Sequence, residues 1–179
     1  MSTLIANTLQ GINTIKYDAN TTAMTIDTNG TVLMPQKPAW RLGLTTAQNE
    51  TTTGGNGQTV LWTNTSSDNC FIQGDLSYDS STGILTCNTA GIYQINANIR
   101  VDDVGSGYVV TRILKNNAST LNTETYSIEG SPSSSYQTVN AMETYKLDAG
   151  DNLRIRVVSS ADSSWNIAEQ STFSGHMVG

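Results

Sequence analysis

The sequence predicts an all-β protein, built as a sandwich or barrel of short strands. Three observations support this prediction. Several segments alternate apolar and polar residues with a period of two, which is typical of strands that bury one face. Clusters of glycine, asparagine, aspartate and serine, which favour turns, separate these segments at short intervals. Serine, threonine and asparagine make up about a third of the chain, and these residues suit turns and strand faces better than helix interiors.

Residues 1–37 are predicted to form an N-terminal attachment arm that contains a β-hairpin. Its turn is Asp27–Gly30, in which Asn29-Gly30 can supply the positive φ angles of a tight turn. The apolar residues that flank this turn are Met24, Ile26, Val32 and Met34. Further upstream, a spacing of three or four residues also fits a short amphipathic helix through Leu4 or Ile5, Leu9, Ile12 and Ile15.

A lone hairpin is marginal in water, so the arm is expected to need a partner surface. The sequence allows three such partners: the chain's own globular domain, sister subunits or a larger assembly. Pro35 and Pro38 interrupt regular structure and mark the junction with a globular head of residues 38–179.

In the head, the clearest strand runs from Gly91 to Val101. Its inward residues are predicted to be Tyr93, Ile95, Ala97, Ile99 and Val101. Leu153–Val157 repeats the pattern, with Arg154 and Arg156 pointing outward, and Tyr108–Leu114 and Tyr136–Leu147 follow it less regularly. Thr45–Gln58 is polar and rich in glycine, and it is predicted to be a loop.

Composition excludes several classes of function. The chain has 9 Lys+Arg against 15 Asp+Glu and no basic cluster, so no nucleic-acid partner is expected. No apolar run reaches the roughly 18 residues of a membrane span, and Met1–Gly11 lacks the pattern of a signal peptide, so no membrane insertion is expected. With one histidine, His176, and two cysteines, we expect no enzyme, no cofactor and no metal site.

The order of short motifs from Pro38 to the C-terminus resembles the globular head of complement-component and tumour-necrosis-factor-like proteins. The motifs are Pro38–Trp40, Tyr78–Cys87, Ala90–Tyr93, Leu147–Asp151 before Leu153–Val157, and Ser171–Gly175. The resemblance implies a ten-stranded jelly-roll sandwich that forms a compact homotrimer. Gly83 and Gly91 fit positions in such a fold where a turn or strand start demands positive φ.

Ala23–Pro35 is similar to the connector that precedes such heads in structural proteins of tailed phages. This resemblance implies a virion protein, assembled in the host cytoplasm, whose arm binds other virion proteins. Its head would then be a tail-fibre, spike or knob tip that attaches to the host surface. The alternatives are a trimeric capsid decoration or cement protein and, outside phages, a secreted recognition module of the innate-immunity type. The absence of a signal peptide and of a collagen-like Gly-X-Y stalk favours the phage interpretation.

Several residues have competing interpretations. Cys70 and Cys87 are predicted to be buried thiols, with a disulfide as the alternative. Asp102 and Asp103 are predicted to lie in a solvated loop, with a calcium site as the alternative. His176 is predicted to be structural or exposed. Trp40, Trp62 and Trp165 are each expected in the core or at a subunit contact before a sugar site.

The predicted recognition surface consists of the polar loops Val101–Gly107, Glu129–Ser135 and Ser159–Trp165, which carry no lysine or arginine. Such a surface suits a hydroxyl-rich, neutral host glycan, and it should bind anionic polymers poorly. Tyr108 and Trp165 are the predicted binding residues, because a flat aromatic ring can stack on a sugar.

Overall fold

A computed structural model describes residues 14–16, 19, 22–34, 36–50, 57–67, 69–104, 108–116, 124–129, 136–160 and 165–179, the segment 124–129 by its backbone alone. The chain divides into two compact units, Met1–Lys37 and Pro38–Gly179. Every regular element among the described residues is a β-strand, which confirms the all-β prediction. None of the described residues belongs to a helix long and apolar enough to cross a membrane.

The first unit contains a three-stranded antiparallel sheet in the order β1 (Thr14–Lys16), β2 (Thr22–Ile26) and β3 (Val32–Leu33). The predicted hairpin is confirmed, because Ile26 pairs with Val32. Its turn is wider than a two-residue Asn-Gly turn: the Asp27 N–H donates to the Thr31 carbonyl (3.0 Å), and only Gly30 within it has a positive φ, +81°. The Asp27 carboxylate closes the turn by accepting backbone N–H groups.

The predicted N-terminal helix is wrong at Ile15, which lies in β1 and pairs with Met24. Thr14 and Ile15 are both β-branched and favour a strand over a helix once a neighbouring strand supplies hydrogen bonds. The remaining residues of that predicted helix lie outside the described residues.

The head consists of two antiparallel sheets. The first contains β4 (Ala39–Gly43), β5 (Gln48–Glu50), β7 (Phe71–Gln73), β10 (Gly91–Asp102), β13 (Tyr136–Leu147), β15 (Trp165–Ile167) and β16 (Thr172–Met177). The second contains β6 (Gln58–Thr59), β8 (Leu76–Asp79), β9 (Ile84–Cys87), β11 (Val109–Lys115), β12 (Glu124–Glu129) and β14 (Asp151–Ser159).

Strands that are distant in sequence become neighbours in both sheets. In the first sheet the order is β13-β10-β16-β4-β7, with β15 and then β5 beside the end of β10. In the second the order is β12-β11-β14-β9-β8, with β6 also paired to β14. Apolar residues from both sheets form one buried cluster, so the head is a sandwich.

The predicted inward faces of the long strands are confirmed. All five predicted inward residues of β10 are fully buried, as are Leu153, Ile155 and Val157 of β14. Arg154 and Arg156 alternate with the latter on the opposite face and are half-buried.

Four aromatic rings join the strands inside the core. Phe173 lies 5.5 Å from Trp40 and 6.0 Å from Trp62, centroid to centroid, and Tyr93 lies 6.2 Å from Trp40. Both tryptophans are therefore core residues, as the sequence favoured. Gly175 provides the space for Trp40, because a Cβ at this position would overlap the indole ring.

The prediction that Thr45–Gln58 is a loop is wrong at both of its described ends. Gln48–Glu50 pairs with β15, and Gln58 pairs with β14. The Gln48 side chain links the two ends of this segment, because it donates to the Thr59 carbonyl (2.9 Å) and accepts the Leu61 N–H (2.9 Å). Residues 51–56 of the predicted loop lie outside the described residues.

Gly83 and Gly91, for which positive φ angles were predicted, are required for different physical reasons. Gly83 has a φ of +70°, as predicted for a turn. Gly91 is not among the residues with positive φ, and the expectation of positive φ there is wrong. Gly91 is needed for space, because a Cβ would lie 2.7 Å from Met177 Sδ and 2.9 Å from the Gly179 carbonyl oxygen.

Asp151 joins two turns at one end of the second sheet. Its carboxylate accepts from Lys115 Nζ (2.7 Å), Asn116 Nδ2 (2.7 Å) and the Asp148 N–H (2.8 Å). Burial alone raises the pKa of this carboxyl, but the hydrogen bonds from Lys115, Asn116 and Asp148 outweigh burial and hold the pKa below its ordinary value. A group with a lowered folded pKa stabilises the fold above its unfolded pKa, and this contribution is lost as the pH falls.

An Asp151→Asn substitution is therefore expected to lower the free energy of unfolding at pH 7 by about 1–3 kcal/mol. The loss should shrink as the pH falls below about 4, where the carboxyl of the unfolded chain takes up a proton, and it should vanish once the pH passes below the lowered pKa of the folded state. Urea unfolding at pH 7 and pH 3 measures both effects, with the exposed Asp148→Asn as control. An equal loss at the two pH values would contradict this role of the charge.

Candidate functional site

The outer face of the first sheet carries most of the exposed apolar side chains of the head. Among the described head residues, seven large apolar side chains are exposed, and two of them, Leu61 and Tyr108, lie elsewhere. The other five project from this face: Phe71 (43% exposed), Ile92 (44%), Val178 (46%), Tyr136 (50%) and Met142 (58%). A face with this composition is typical of a protein contact.

One row of directly paired residues crosses five strands of this outer face. In spatial order the row is Met142, Asn96, Ser174, Arg41 and Phe71. Apolar side chains thus stand at its two ends, and polar ones occupy its middle. The row borders a groove of about 570 Å³, which Trp40 and His176 also line.

The middle of the groove contains hydrogen-bonding groups that suit a polar contact. Asn96 Oδ1 is buried and accepts no hydrogen bond from the described residues. His176 is exposed and lies between Gln94 and Ala39 in the neighbouring strands, so it is an exposed histidine, as predicted. A buried acceptor beside exposed donors favours a partner that brings its own polar groups.

One end of the outer face is held by an ion pair. Arg100 Nε donates to Asp102 Oδ1 (2.7 Å), and the Arg100 guanidinium lies 4.6 Å from the ring centroid of Tyr136. Asp103 accepts from Asn166 Nδ2 (3.0 Å). Both carboxylates of the calcium alternative are thus engaged by side chains, and the described residues contain no cluster of three or more His, Cys, Asp or Glu.

The two predicted binding residues have different environments. Trp165 is only 2% exposed and packs in the core cluster, so its ring offers no face to a sugar in this chain. Tyr108 is 44% exposed, and its backbone is held by hydrogen bonds to Ser160 (2.8 and 3.0 Å). Glycan binding at Tyr108 stays a prediction. Much of the predicted loops, namely residues 105–107, 130–135 and 161–164, lies outside the described residues.

Sequence reasoning missed the outer face of the first sheet. The polar residues of β10 on this face predicted contact with solvent. Met142 and Phe71 belong to separate segments of the sequence, and neither segment by itself indicates an apolar surface. The available signal was an apolar residue at an outward position, at Ile92 and at Met142. Those two positions interrupt the expected polar face.

Cys70 and Cys87 are buried thiols rather than a disulfide, as predicted. Burial raises the pKa of Cys87 to about 12, and the nearby Asp151 carboxylate adds to the rise. Since the thiolate is the reactive form, neither cysteine is expected to react with Ellman's reagent in the native protein at pH 8. Both should react once guanidinium chloride unfolds the chain. Rapid reaction of the native protein would contradict the burial of these side chains.

Comparisons with known proteins agree on the fold of the head. The C1q domain family model matches residues 45–178, which is more than half of the chain. Among solved structures, the globular domain of the zebrafish complement 1qA protein superposes with a TM-score of 0.55 at 17% identity, covering 80% of this chain and 98% of that chain. No curated protein matches the sequence. At 17% identity, this structural similarity shows the fold alone.

Proposed function

Since this chain belongs to the C1q domain family, whose members are generally non-enzymatic recognition modules, we propose that its head is a homotrimeric recognition module. Its subunits meet through the outer face of the first sheet. The observation that carries this proposal is the concentration of exposed apolar side chains on that face. Burial of such side chains is the main favourable term in most subunit association.

The two ends of the outer face fit a threefold arrangement. In a ring of three subunits each contact is heterologous, so one edge of a subunit meets a different edge of its neighbour. Met142 and Tyr136 stand on β13 at one edge, and Phe71 stands on β7 at the other. Packing the β13 edge of one subunit against the β7 edge of the next covers both apolar ends, and three copies related in this way form the ring that we propose.

Light scattering of the purified protein tests the trimer. The expected mass is three times the 19.2 kDa of the chain. A monodisperse monomer at micromolar concentration would overturn the proposal.

We propose further that the trimer is a structural protein of a tailed phage, located in the virion. Its arm of residues 1–37 joins other virion proteins, and its heads project as a tail-fibre, spike or knob tip for host attachment. Two observations support this: Ala23–Pro35 is similar to phage connectors, and the arm forms a compact unit with a sheet of its own. The match to a complement head concerns the fold, so a secreted recognition module and a capsid decoration protein are the competing functions.

Removal of residues 1–37 separates these functions. The truncated protein is expected to remain trimeric and to be absent from purified phage particles. Normal incorporation would show that the arm is not the attachment segment. Cryo-electron microscopy of particles with the full chain then locates the protein: density at the tail tip supports host attachment, and density across the capsid lattice supports decoration. Absence from any particle favours the secreted module.

For host attachment, we propose that a glycan binds at Tyr108, whose aromatic ring is exposed. Neutral glycans are expected to bind weakly at each head, and three heads acting together offset this weakness. Tyr108→Ala should reduce adsorption to host cells without dissociating the trimer. Unchanged adsorption, with Leu61→Ala as the exposed control, would move the proposal to capsid decoration.

A further inference from the structure

The arm sheet has one apolar face and one mixed face. Ile15 pairs with Met24, Ile26 pairs with Val32, and Met24 and Ile26 alternate along β2. This register places the four side chains on the same side of the sheet, which we call the apolar arm face. On the other side, Thr14 pairs with Thr25, which pairs with Leu33.

The apolar arm face is open to solvent in the single chain. Ile15 is 40% exposed, Ile26 36% and Val32 51%. The three strands have 3, 5 and 2 residues, at or below the usual strand length of about five to six, so cover on the apolar side would stabilise this sheet. Among the described residues of the arm, Lys16 Nζ donates to the Ala19 carbonyl (3.3 Å), and Asp27 accepts the Asn29 N–H (2.8 Å). The face is therefore suited to an apolar partner.

In the proposed trimer, chain connectivity favours the same segment of the sister subunits as the partner. β3 leads through residues 34–38 into β4, and β4 lies between β16 and β7 in the sheet whose outer face forms the proposed trimer contact. In the proposed trimer the three arms are therefore covalently tethered to one assembly of heads. Tethering gives each arm a high effective concentration of its sisters.

We infer that the three arms pack their apolar faces together and form a three-sided β-stalk. Ile15, Met24, Ile26 and Val32 of each subunit line its interior, and Thr14, Thr25 and Leu33 face outward. Three one-sided sheets arranged as a triangle cover every apolar face with the same surface, as threefold symmetry requires. This inference rests on the proposed trimer. It is compatible with attachment to a particle, which then uses the outside of the stalk or residues 1–13.

The adjacent residues Val32 and Leu33 provide a matched test, because they have nearly equal exposure, 51% and 49%, on opposite faces. Val32→Cys and Leu33→Cys are made separately in the full chain. The natural cysteines are buried and give a low background. With a short bismaleimide, subunits carrying Val32→Cys are expected to cross-link at least about tenfold faster than those carrying Leu33→Cys. Equal rates, or faster linking through Leu33→Cys, would overturn the stalk.

A second pair of variants gives a readout without cross-linking. Ile26→Glu with Val32→Glu places two carboxylates inside the stalk, whereas Thr25→Glu with Leu33→Glu places them outside. The first variant is expected to make residues 1–37 sensitive to protease while light scattering still reports a trimer of heads. The second should resemble the wild type. Equal protease sensitivity of both variants would overturn the inference.

Light scattering of the wild type distinguishes the two levels of the proposal. A trimer without selective linking through Val32→Cys overturns the stalk and leaves the trimeric head intact. A monomeric wild type overturns both.

Discussion

A Met142→Glu substitution is expected to convert the trimer into a folded monomer of 19.2 kDa. In the single chain Met142 is 58% exposed, so a carboxylate there remains hydrated and leaves the fold intact. In the proposed trimer the neighbouring subunit covers this position. Burial of an unpaired carboxylate costs several kcal/mol per contact, and a threefold ring repeats the cost three times. Light scattering and circular dichroism measure mass and fold together.

Leu61→Glu is the matched control for this experiment. Leu61 is also an exposed apolar residue, 36% exposed, but it does not lie on the outer face of the first sheet. The control protein should keep the mass of the trimer. A trimer that survives Met142→Glu would show that the subunits meet elsewhere, and dissociation of both variants would show that any added charge is sufficient.

A Phe173→Ala substitution is expected to lower the free energy of unfolding of the head by about 3–5 kcal/mol. Phe173 is fully buried and contacts both Trp40 and Trp62, so its removal leaves a cavity between two large rings that cannot collapse easily. A loss of this size is a large part of the stability of a domain. Guanidinium unfolding followed by tryptophan fluorescence reports on the rings that line the cavity.

The chain supplies an internal control, because its only other phenylalanine, Phe71, is 43% exposed. Both Phe173→Ala and Phe71→Ala are made in the Met142→Glu background, so that subunit association does not contribute to the measured stability. Phe71→Ala should change the stability by less than about 0.5 kcal/mol. A similar loss for the two variants would contradict the central place of Phe173 in the core.

The sequence alone was sufficient for features that depend on neighbouring residues along the chain. It predicted the alternation of β10 and β14, the strand Tyr136–Leu147 with its observed bounds, and the hairpin around Asp27–Gly30. Side chains in an extended chain point alternately to two faces, so a period of two shows where the buried face lies. The order of the short motifs also predicted the family, because this order follows the succession of strands and turns in the fold.

Tertiary structure decided which of these strands lie side by side. It thereby also decided which residues form the candidate site. Gln48–Glu50 is a strand because β15, more than a hundred residues later, provides its hydrogen bonds. Trp165 is a core residue because β15 also pairs with β10, which places the indole inside the sandwich. Met142 and Phe71 belong to one surface only because three strands lie between them. Such neighbours are set by register and strand order across the whole sheet, whereas the period of a single strand shows only which of its faces is buried.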